Sequence, residues 1–360
     1  MTTNTGLKAA PMADSMRALI FHAPGNIKVE QRPVPDIGPG DVLLKVGATS
    51  VCASDIRVYR GEKKAAAGVI TGHEFAGSVV RIGEGVQDVA VGDRTIVCPI
   101  IACGACYYCQ IGRRNRCLKR LTLGYDVDGG FADYVRVPEA VVRLGHMIPL
   151  DSELPYDLAS ITEPMACALN SLESCKVLPG STMAILGCGP MGLMHLVLGR
   201  AMGASKIIMS DPVEERRRVA EELGATVVID PTKHSIAAET KARTNGLGAD
   251  AGFLSIGITE LVEEGLGAVR KEGYFNLFAG FPPSARIDME ANRIHYDEIF
   301  MTGTQNATTD HYVRVSQMLP HMPGAQRLIT NRYQPEEANL AYEARLGLSG
   351  LKAVVVYEGA

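Results

Sequence analysis

The sequence predicts an α/β protein in which a β-rich region precedes a doubly wound parallel sheet. From Met16 to about Leu150 the chain consists of short β-like runs separated by Gly and Pro, such as ALIFHA and DVLLKVGAT. That spacing is typical of a compact, mostly antiparallel, barrel-like domain. From about Asp157 apolar strands alternate with amphipathic helices, the pattern of a parallel sheet covered by helices. After Gln305 the chain holds one helix and a closing apolar run, AVVVYE, which we expect to return to the first domain.

Length and composition restrict the protein classes that fit. A chain of 360 residues can hold two domains with separate cores. A net charge of -4 gives no attraction to nucleic acid or anionic membranes. No apolar run approaches the ~20 residues of a membrane-spanning helix. Nine cysteines without a signal-peptide core favour a reducing, cytoplasmic location, and residues 1–15 are expected to form a disordered extension.

Four cysteines in the string CGACYYCQIGRRNRC are the first candidate metal site. Two, two and seven residues separate them, so one short loop can fold them around an ion. Four thiolates form a closed, tetrahedral set that suits a structural zinc ion, whereas two disulfides are the competing interpretation. The predicted ligands are Cys103, Cys106, Cys109 and Cys117.

The second region contains the strands that would build the parallel sheet. They are TMAILG (182–187), KIIMS (206–210), TVVID (226–230), GFLSIG (252–257), YFNLFAG (274–280) and IFMTGT (299–304). Helical patterns such as GLMHLVLGRAMG and EERRRVAEELG lie between them, and the second places Val219, Ala220 and Leu223 on one apolar stripe.

The string GCGPMG follows the first of these strands and opens a helix, the context of the Rossmann dinucleotide fingerprint. Its glycines permit a tight turn, close approach to a pyrophosphate and close packing of the helix. The alternative is an ordinary strand-to-helix turn. The predicted cofactor contacts here are Gly187, Gly189, Pro190, Met191 and Gly192.

Asp211 comes nineteen residues after Gly192, at the end of the next strand. A carboxylate there accepts hydrogen bonds from a ribose 2′-OH and repels a 2′-phosphate, so NAD is the predicted cofactor. Asp211 could also cap the following helix. Arg216, a further predicted cofactor contact, begins an RRR run that either binds the 2′-phosphate of NADP or forms a solvated helix face.

A second set of metal-binding residue types is scattered along the chain. One thiolate, one imidazole and one or two carboxylates form a plausible catalytic zinc set that leaves a position for water or substrate. Asp55 could orient the imidazole by accepting its other N–H. Taken singly, each residue has a packing or capping interpretation. The candidates are Cys52, His73, Glu74 and Glu163.

These motifs resemble one family. The run GHEFAGSVVRIGEGV (72–86), the cysteine lobe, GGFADY (129–134) and GCGPMG occur in the order found in zinc-containing medium-chain alcohol dehydrogenases. The resemblance covers the chain from Met16 to the C-terminus. It implies a GroES-like catalytic domain (1–157), a Rossmann domain (158–306) and a return segment (307–360) completing the catalytic domain. Glu163 in EPMACALN and the stretch NRIHYDEIFMTGT are similar to the polyol branch, which includes sorbitol, iditol and cyclitol dehydrogenases.

The resemblance also implies residue roles. Cys52 and His73 would be zinc ligands, Glu74 and Glu163 direct or water-mediated ligands, and Ser54 the group that receives the substrate's proton. The position three residues after Ser54, often a relay histidine in the family, is Arg57. A guanidinium cannot exchange protons at neutral pH, so the relay would run through water or ribose hydroxyls, or Arg57 would bind the substrate. Tyr59 and Phe131 are further candidate substrate contacts.

The predicted function is therefore oxidation of a secondary hydroxyl of a polyol, sugar or cyclitol, with NAD and two zinc ions per chain, by a homodimer or homotetramer. An L-threonine-type amino-alcohol dehydrogenase is the alternative enzyme. A non-catalytic NAD-binding protein is the alternative from another class. The basic run from Arg113 to Arg120 suggests a further alternative, in which the cysteine loop is a nucleic-acid-binding zinc finger. No recognition helix with the spacing of such a finger follows it.

Overall fold

The computed structural model describes residues 13–357. The first region contains the strands β1 (Ser15–Ala23), β2 (Asn26–Pro33), β3 (Val42–Ser50), β4 (Val69–Ile70), β5 (Phe75–Ile82), β6 (Arg94–Val97), β7 (Ile100–Ile101), β8 (Leu121–Thr122), β9 (Tyr134–Val137) and β10 (Met147–Pro149). Its helices are short, as expected where Gly and Pro interrupt the chain: α1 (Ala53–Tyr59), α2 (Tyr107–Gln110), α3 (Glu139–Val142) and the 3₁₀ turn Arg114–Arg116.

The middle of the chain alternates helices and strands. Two helices, α4 (Tyr156–Ser160) and α5 (Thr162–Ser174), lead into it. The strands are β11 (Thr182–Leu186), β12 (Lys206–Ser210), β13 (Val227–Ile229), β14 (Ala249–Leu254), β15 (Val269–Leu277) and β16 (Phe300–Gly303). The helices between them are α6 (Pro190–Ala201), α7 (Glu214–Glu222), α8 (Ile236–Ala242), α9 (Leu261–Ala268) and α10 (Asn292–His295).

The C-terminal part holds α11 (Thr309–Met318), β17 (Ile329–Tyr333), α12 (Ala338–Leu346) and β18 (Lys352–Val356), with 3₁₀ turns at Leu319–His321, Ala325–Leu328 and Pro335–Glu337. The predicted helix and closing strand are present here. β17 and α12 were not predicted from the sequence. β17 alternates buried and exposed residues at a sheet edge and therefore lacks an apolar run.

The six strands of the middle region form one parallel sheet in the order β13-β12-β11-β14-β15-β16. The order in which successive strands join the sheet reverses between β11 and β14, and a crevice at the carboxyl ends of the strands is expected at that switch point. Ile185 and Phe253 have no exposed surface in the sheet core. The predicted doubly wound sheet is confirmed.

The β-rich region is built on a seven-stranded sheet in the order β10-β6-β5-β3-β18-β17, with β9 also pairing with β3. β2, β1 and β4 form a three-stranded sheet, and β7 pairs with β8. β18 runs antiparallel to β3, with Val355 opposite Thr49. The end of the chain therefore lies beside the strand that leads to Cys52. The domain boundaries at 157/158 and 306/307 stay predictions.

Three boundaries differ from the predictions. The strand expected at 274–280 is β15, which begins five residues earlier, at Val269. The strand expected at 252–257 is β14, three residues earlier, and Ile256 is 39 % exposed because the chain leaves the sheet after Leu254. Of the predicted extension 1–15, residues 1–12 lie outside the described residues, and Ser15 already pairs with Pro33 in β1. Within residues 13–357 no helix is both long and apolar enough to cross a membrane.

Candidate active site

Cys52 lies where strand β3 passes into helix α1. Its extended backbone, with φ -93° and ψ 155°, makes it the N-cap residue of the helix. The Asp55 carboxylate in the first turn accepts a hydrogen bond from the Cys52 backbone N–H at 2.9 Å. This contact fixes the start of the helix and leaves the Cys52 thiol partly exposed.

His73 is placed by the glycine before it. Gly72 has φ +96°, and a Cβ there would lie 2.6 Å from a ring carbon and 2.8 Å from the backbone nitrogen of Phe131. Only glycine accepts that conformation and that close approach. The chain therefore turns sharply at Gly72, presents His73 and Glu74, and enters strand β5 at Phe75.

The structure brings Cys52, His73 and Glu74 together. One ligand atom from each lies within 4.8 Å of the other two, although Cys52 follows β3 whereas His73 and Glu74 are adjacent residues before β5. One thiolate, one imidazole and one carboxylate form a donor set that zinc accepts with an open fourth position. The buried Oε1 of Glu74 has no hydrogen-bond partner, so it can donate to an ion. The donor set fits zinc.

Glu74 is held by residues that sequence reasoning missed. Lys352 of β18 forms an ion pair with Glu74 Oε2, and the Ser50 hydroxyl donates to the same oxygen. The Lys352 ammonium also donates to the Val51 carbonyl at 2.9 Å. Glu74 and Lys352 are 0 % and 3 % exposed. The only sequence signal was a lysine beginning an otherwise apolar strand.

Glu163 lies apart from this cluster. It is in the first turn of α5, where its Oε1 accepts hydrogen bonds from the Cys167 thiol at 3.6 Å and the Tyr312 hydroxyl at 3.3 Å. Burial raises the pKa of the Glu163 carboxyl, and this outweighs the opposing effect of His73. The structure therefore places Glu163 within the electrostatic reach of His73 but outside the three-residue group. Its role as a metal ligand stays a prediction.

A network of hydroxyls surrounds His73. Ser54 Oγ donates to Cys52 Sγ at 3.2 Å and lies 2.6 Å from the Tyr125 hydroxyl. That hydroxyl lies 2.9 Å from His73 Nδ1, and Asp55 Oδ1 lies 3.1 Å from the same nitrogen, as the orienting role predicted for Asp55 requires. Burial lowers the pKa of His73, but the charges of Asp55 and Cys52 outweigh it and raise the pKa. Tyr125 gave no sequence signal.

The three candidate substrate contacts have different environments. Arg57, on α1, lies 3.7 Å from Glu62 and reaches Gly280 just beyond β15, where a Cβ would meet its guanidinium at 3.0 Å. Tyr59 is half-buried against the β-rich core. Phe131 is 1 % exposed and packs edge-on against Tyr342. Phe131 thus exposes little surface, and the roles of Arg57, Tyr59 and Phe131 as substrate contacts stay predictions.

The four cysteines of the lobe converge. Cys106 Sγ lies 3.5 Å from Cys109 Sγ and 4.0 Å from Cys117 Sγ, and all four sulfurs lie within 4.8 Å of one another. Sulfurs around a zinc ion at ~2.3 Å would be separated by roughly 3.8 Å. None of the four is in a disulfide. Backbone N–H groups of Cys103 and Lys119 donate to Cys117 Sγ, as expected for a thiolate. These donors also fit zinc.

The glycine-rich string forms the turn that was predicted. β11 ends at Leu186, Gly187 has φ +104°, and helix α6 begins with Pro190 after the N-cap Gly189. A Cβ on Gly192 would lie 1.8 Å from the Gly187 carbonyl oxygen. The turn therefore excludes any side chain at that position, and α6 begins directly after it, with the backbone N–H groups of a helix N-terminus that can favour an anion.

Asp211 completes the turn from the neighbouring strand. Its Oδ2 accepts from the backbone N–H of Cys188 at 2.9 Å, and its Oδ1 accepts from Val213 N–H at 2.9 Å. Arg216 Nη1 lies 4.0 Å from Oδ2. The structure thus joins Asp211, Arg216 and the glycine-rich turn, although Asp211 also caps the chain before α7.

Comparison with known families agrees with this arrangement. Residues 38–146 match the alcohol dehydrogenase GroES-like domain, and residues 190–320 match the zinc-binding dehydrogenase domain. The first match contains His73, Glu74 and the cysteine lobe. The second begins at the N-terminus of helix α6.

Individual relatives are similar to this protein over most of its chain. The L-threonine 3-dehydrogenase of Caldanaerobacter subterraneus is 36 % identical over 73 % of this chain and 74 % of its own. The sorbitol dehydrogenase of Bacillus subtilis is 32 % identical over 92 % of this chain and 94 % of its own.

Solved structures show the same fold. One from Sinorhizobium meliloti bound to NADP has a TM-score of 0.88 and 32 % identity, covering 96 % of this chain and 100 % of that one. The 2R,3R-butanediol dehydrogenase of Bacillus subtilis has a TM-score of 0.86 and 30 % identity, and the match covers 95 % of this chain and 99 % of that one. With two zinc-compatible clusters and a dinucleotide turn on this fold, the chain belongs to the zinc-containing medium-chain alcohol dehydrogenase family.

Proposed function

We propose that the protein is an NAD-dependent dehydrogenase that oxidises a secondary hydroxyl of a polyol, sugar or cyclitol. It would hold one zinc ion at Cys52, His73 and Glu74 and a second at the four cysteines of the lobe. The observation that carries this proposal is the convergence of a thiol, an imidazole and an otherwise unbonded carboxylate oxygen in one place. Glu163, near the same cluster, would be available as an exchanging ligand.

The reaction turns a CH–OH group into a carbonyl. When bound, zinc supplies the Lewis acidity that lowers a hydroxyl pKa towards neutrality, and the nicotinamide supplies the hydride acceptor. Ser54 would take the hydroxyl proton, since its Oγ already contacts Cys52 Sγ and His73 Nε2. Tyr125, 2.6 Å from Ser54 Oγ, is the next hydroxyl along a path that Arg57 cannot serve.

The cofactor preference rests on Asp211. A carboxylate fixed beside the glycine-rich turn would accept hydrogen bonds from a ribose 2′-OH, whereas a 2′-phosphate would meet its negative charge. Arg216 would lie on the outer side of the same ribose. The preference for NAD over NADP therefore rests on Asp211 alone.

An L-threonine-type dehydrogenase is the second candidate. It is favoured by the identity to several L-threonine 3-dehydrogenases, including that of Pyrococcus horikoshii at 34 % over 77 % of this chain. A redox-silent NAD-binding protein would lack catalytic ligands, and the ligand set is present. We further propose a cytoplasmic location, because none of the nine cysteines, all within residues 13–357, is in a disulfide. A homodimer or homotetramer is proposed from the family resemblance.

A substrate panel tests the proposal. Purified protein would be analysed for zinc, and reduced nicotinamide would be followed with NAD and NADP over polyols, sugars, cyclitols and L-threonine. We expect two zinc ions per chain, one for each cluster, and NAD-linked turnover of a polyhydroxy substrate. One zinc per chain, or turnover confined to L-threonine, would contradict the leading candidate.

A further inference from the structure

The Glu163 carboxylate is held by two side chains that have no role in the mechanism above. Its Oε1 accepts a hydrogen bond from the Tyr312 hydroxyl at 3.3 Å and another from the Cys167 thiol at 3.6 Å. Cys167 lies one turn further along the same helix, α5, whereas Tyr312 belongs to α11. One oxygen of Glu163 is therefore bonded from two helices at once.

Tyr312 is placed for this contact by its neighbours on α11. The residues on either side of it bind the last turn of α5: His311 Nε2 lies 3.2 Å from Glu173 Oε2, and Arg314 Nη2 donates to that oxygen at 2.9 Å. Tyr312 itself is 1 % exposed. A buried hydroxyl needs a partner, and the Glu163 carboxylate supplies the acceptor.

The two carboxylates near Cys52 and His73 are held in different ways. Glu74 has one oxygen, Oε2, paired with Lys352, while its buried Oε1 has no hydrogen-bond partner and is available to an ion. It belongs to the group of three ligand residues. Glu163 interacts electrostatically with His73 and Glu74 but lies outside that group. A move of Glu163 to the ion would therefore break hydrogen bonds, and their loss opposes the move.

We propose that Tyr312, assisted by Cys167, is a positioning residue that holds Glu163 off the zinc site, so that the fourth position at the ion stays open to the substrate hydroxyl. Glu74 is then the carboxylate ligand at rest, and Glu163 exchanges onto the ion only when its bond to Tyr312 breaks. This inference rests on the proposed function and assigns different resting roles to its two carboxylates.

Tyr312→Phe tests the proposal, because it removes the hydroxyl and keeps the buried ring. Loss of a hydrogen bond to a charged group should make ligation by Glu163 about 10- to 100-fold more favourable. Glu163 would then compete with the substrate, so KM for the best substrate of the panel should rise about three- to tenfold while kcat stays within about threefold. Cys167→Ala should act in the same direction but less, since a thiol is a weak donor.

Cobalt(II) in place of zinc gives a readout that does not depend on turnover. Four-coordinate cobalt absorbs visible light several times more strongly than five-coordinate cobalt, so an added carboxylate ligand weakens the spectrum. The cysteine lobe contributes equally to every variant, and its absorption cancels in a difference spectrum. We expect weaker visible absorption in Tyr312→Phe than in the wild type.

Two variants show whether Tyr312 acts through Glu163. The double variant Glu163→Gln/Tyr312→Phe should match Glu163→Gln in KM and cobalt spectrum within about twofold, because the competing carboxylate is absent from both. Tyr342→Phe is the matched control. Tyr342 is also 1 % exposed, and its hydroxyl donates to Thr71 at 2.9 Å, so this variant should leave the cobalt spectrum unchanged.

An unchanged KM and cobalt spectrum in Tyr312→Phe would overturn the role of Tyr312 while leaving the dehydrogenase intact. Equal shifts with and without Glu163 would overturn it in the same way. Absence of nicotinamide reduction with every alcohol would instead overturn the proposed function, and the cobalt spectra would still decide whether Tyr312 holds Glu163 away from the metal.

Discussion

The two cysteine-containing clusters are built in opposite ways. The lobe takes four thiols from fifteen consecutive residues, 103–117, and the hydrogen bonds named above for its sulfurs come from residues 103–119. The other cluster takes Cys52 from the β3–α1 junction and His73 and Glu74 from the entry to β5, and it depends on Lys352, 278 residues away from Glu74. A local set of four identical ligands is closed to substrate. A mixed set assembled by the fold leaves an open side for chemistry.

The prediction with the largest expected effect compares a variant in the Cys52–His73–Glu74 cluster with one in the cysteine lobe. Cys52→Ala removes a ligand where a substrate hydroxyl would be activated, so kcat should fall about 10⁴-fold with the fold retained. Steady-state rates, zinc content and circular dichroism measure these effects. Cys109→Ser is the matched variant in the lobe. It should lose zinc and thermal stability while kcat per folded molecule falls less than about tenfold. Equal kcat losses in the two variants would erase the distinction between the clusters.

The second prediction addresses the dependence of the open cluster on the C-terminal strand. Lys352→Met leaves the fully buried Glu74 carboxylate without its cation, which should cost about 3–5 kcal/mol in the free energy of unfolding. Urea denaturation monitored by circular dichroism measures it.

Two further variants control that measurement. The double variant Glu74→Gln/Lys352→Met should recover part of the loss, because it removes both buried charges. Lys271→Met, which removes an exposed ion pair with Asp297, should change stability by less than about 1 kcal/mol. If Lys352→Met and Lys271→Met lowered the free energy of unfolding by equally small amounts, the Glu74 carboxylate would not need the ion pair with Lys352 of β18.

The same contrast explains how much the sequence could predict. The lobe was predictable because spacing within a short segment determines which thiols can meet. The glycine-rich turn was predictable because Gly192 lies so close to the Gly187 carbonyl that no side chain fits. The alternating periodicity of strands and helices predicted the parallel sheet, although β14 begins three residues earlier than expected.

The distributed features were harder to predict. Resemblance identified Cys52, His73 and Glu74, but neither spacing nor periodicity indicates that Lys352 reaches Glu74 or that Tyr125 reaches Ser54. Such contacts depend on which strands become neighbours in the sheet. Phe131 fills the space above Gly72, a packing contact that its residue type and position in the sequence did not indicate.

The third prediction concerns the dinucleotide turn, whose bonded residues are separated along the chain by more than those of the lobe and by less than Glu74 and Lys352 at the Cys52 cluster. Asp211 and Cys188 are 23 residues apart. Asp211→Asn weakens a charged acceptor, so kcat/KM for NAD should fall about 10- to 100-fold while that for NADP falls less. Initial rates with both cofactors measure the ratio. Asp230→Asn is the matched control, at the end of the next strand. The Asp230 carboxylate accepts a hydrogen bond from the Thr232 backbone N–H, and its replacement should change the ratio less than about threefold. An unchanged ratio in Asp211→Asn would remove the basis for NAD preference.

The prediction with the smallest expected effect compares the buried ion pair of Lys352 and Glu74 with a half-exposed ion pair. Arg314 of α11 donates to Glu173 of α5, and this hydrogen bond lowers the pKa of Glu173 below 4.5. A carboxyl whose pKa is lower in the folded state stabilises the fold above its unfolded pKa and loses that contribution as pH falls. Glu173→Gln should therefore cost up to about 1 kcal/mol near pH 7, after screening by solvent, and the cost should shrink below about pH 4.5. Urea midpoints of both proteins from pH 4 to 7 measure the difference. Glu215→Gln, at an exposed helix pair with Arg218, is the control; the hydrogen bond from Arg218 also lowers the pKa of Glu215, so the difference should have the same sign of pH dependence but be smaller because solvent screens the pair. A Glu173 effect as large as that of Lys352→Met would mean that depth of burial does not set the value of ion pairs in this protein.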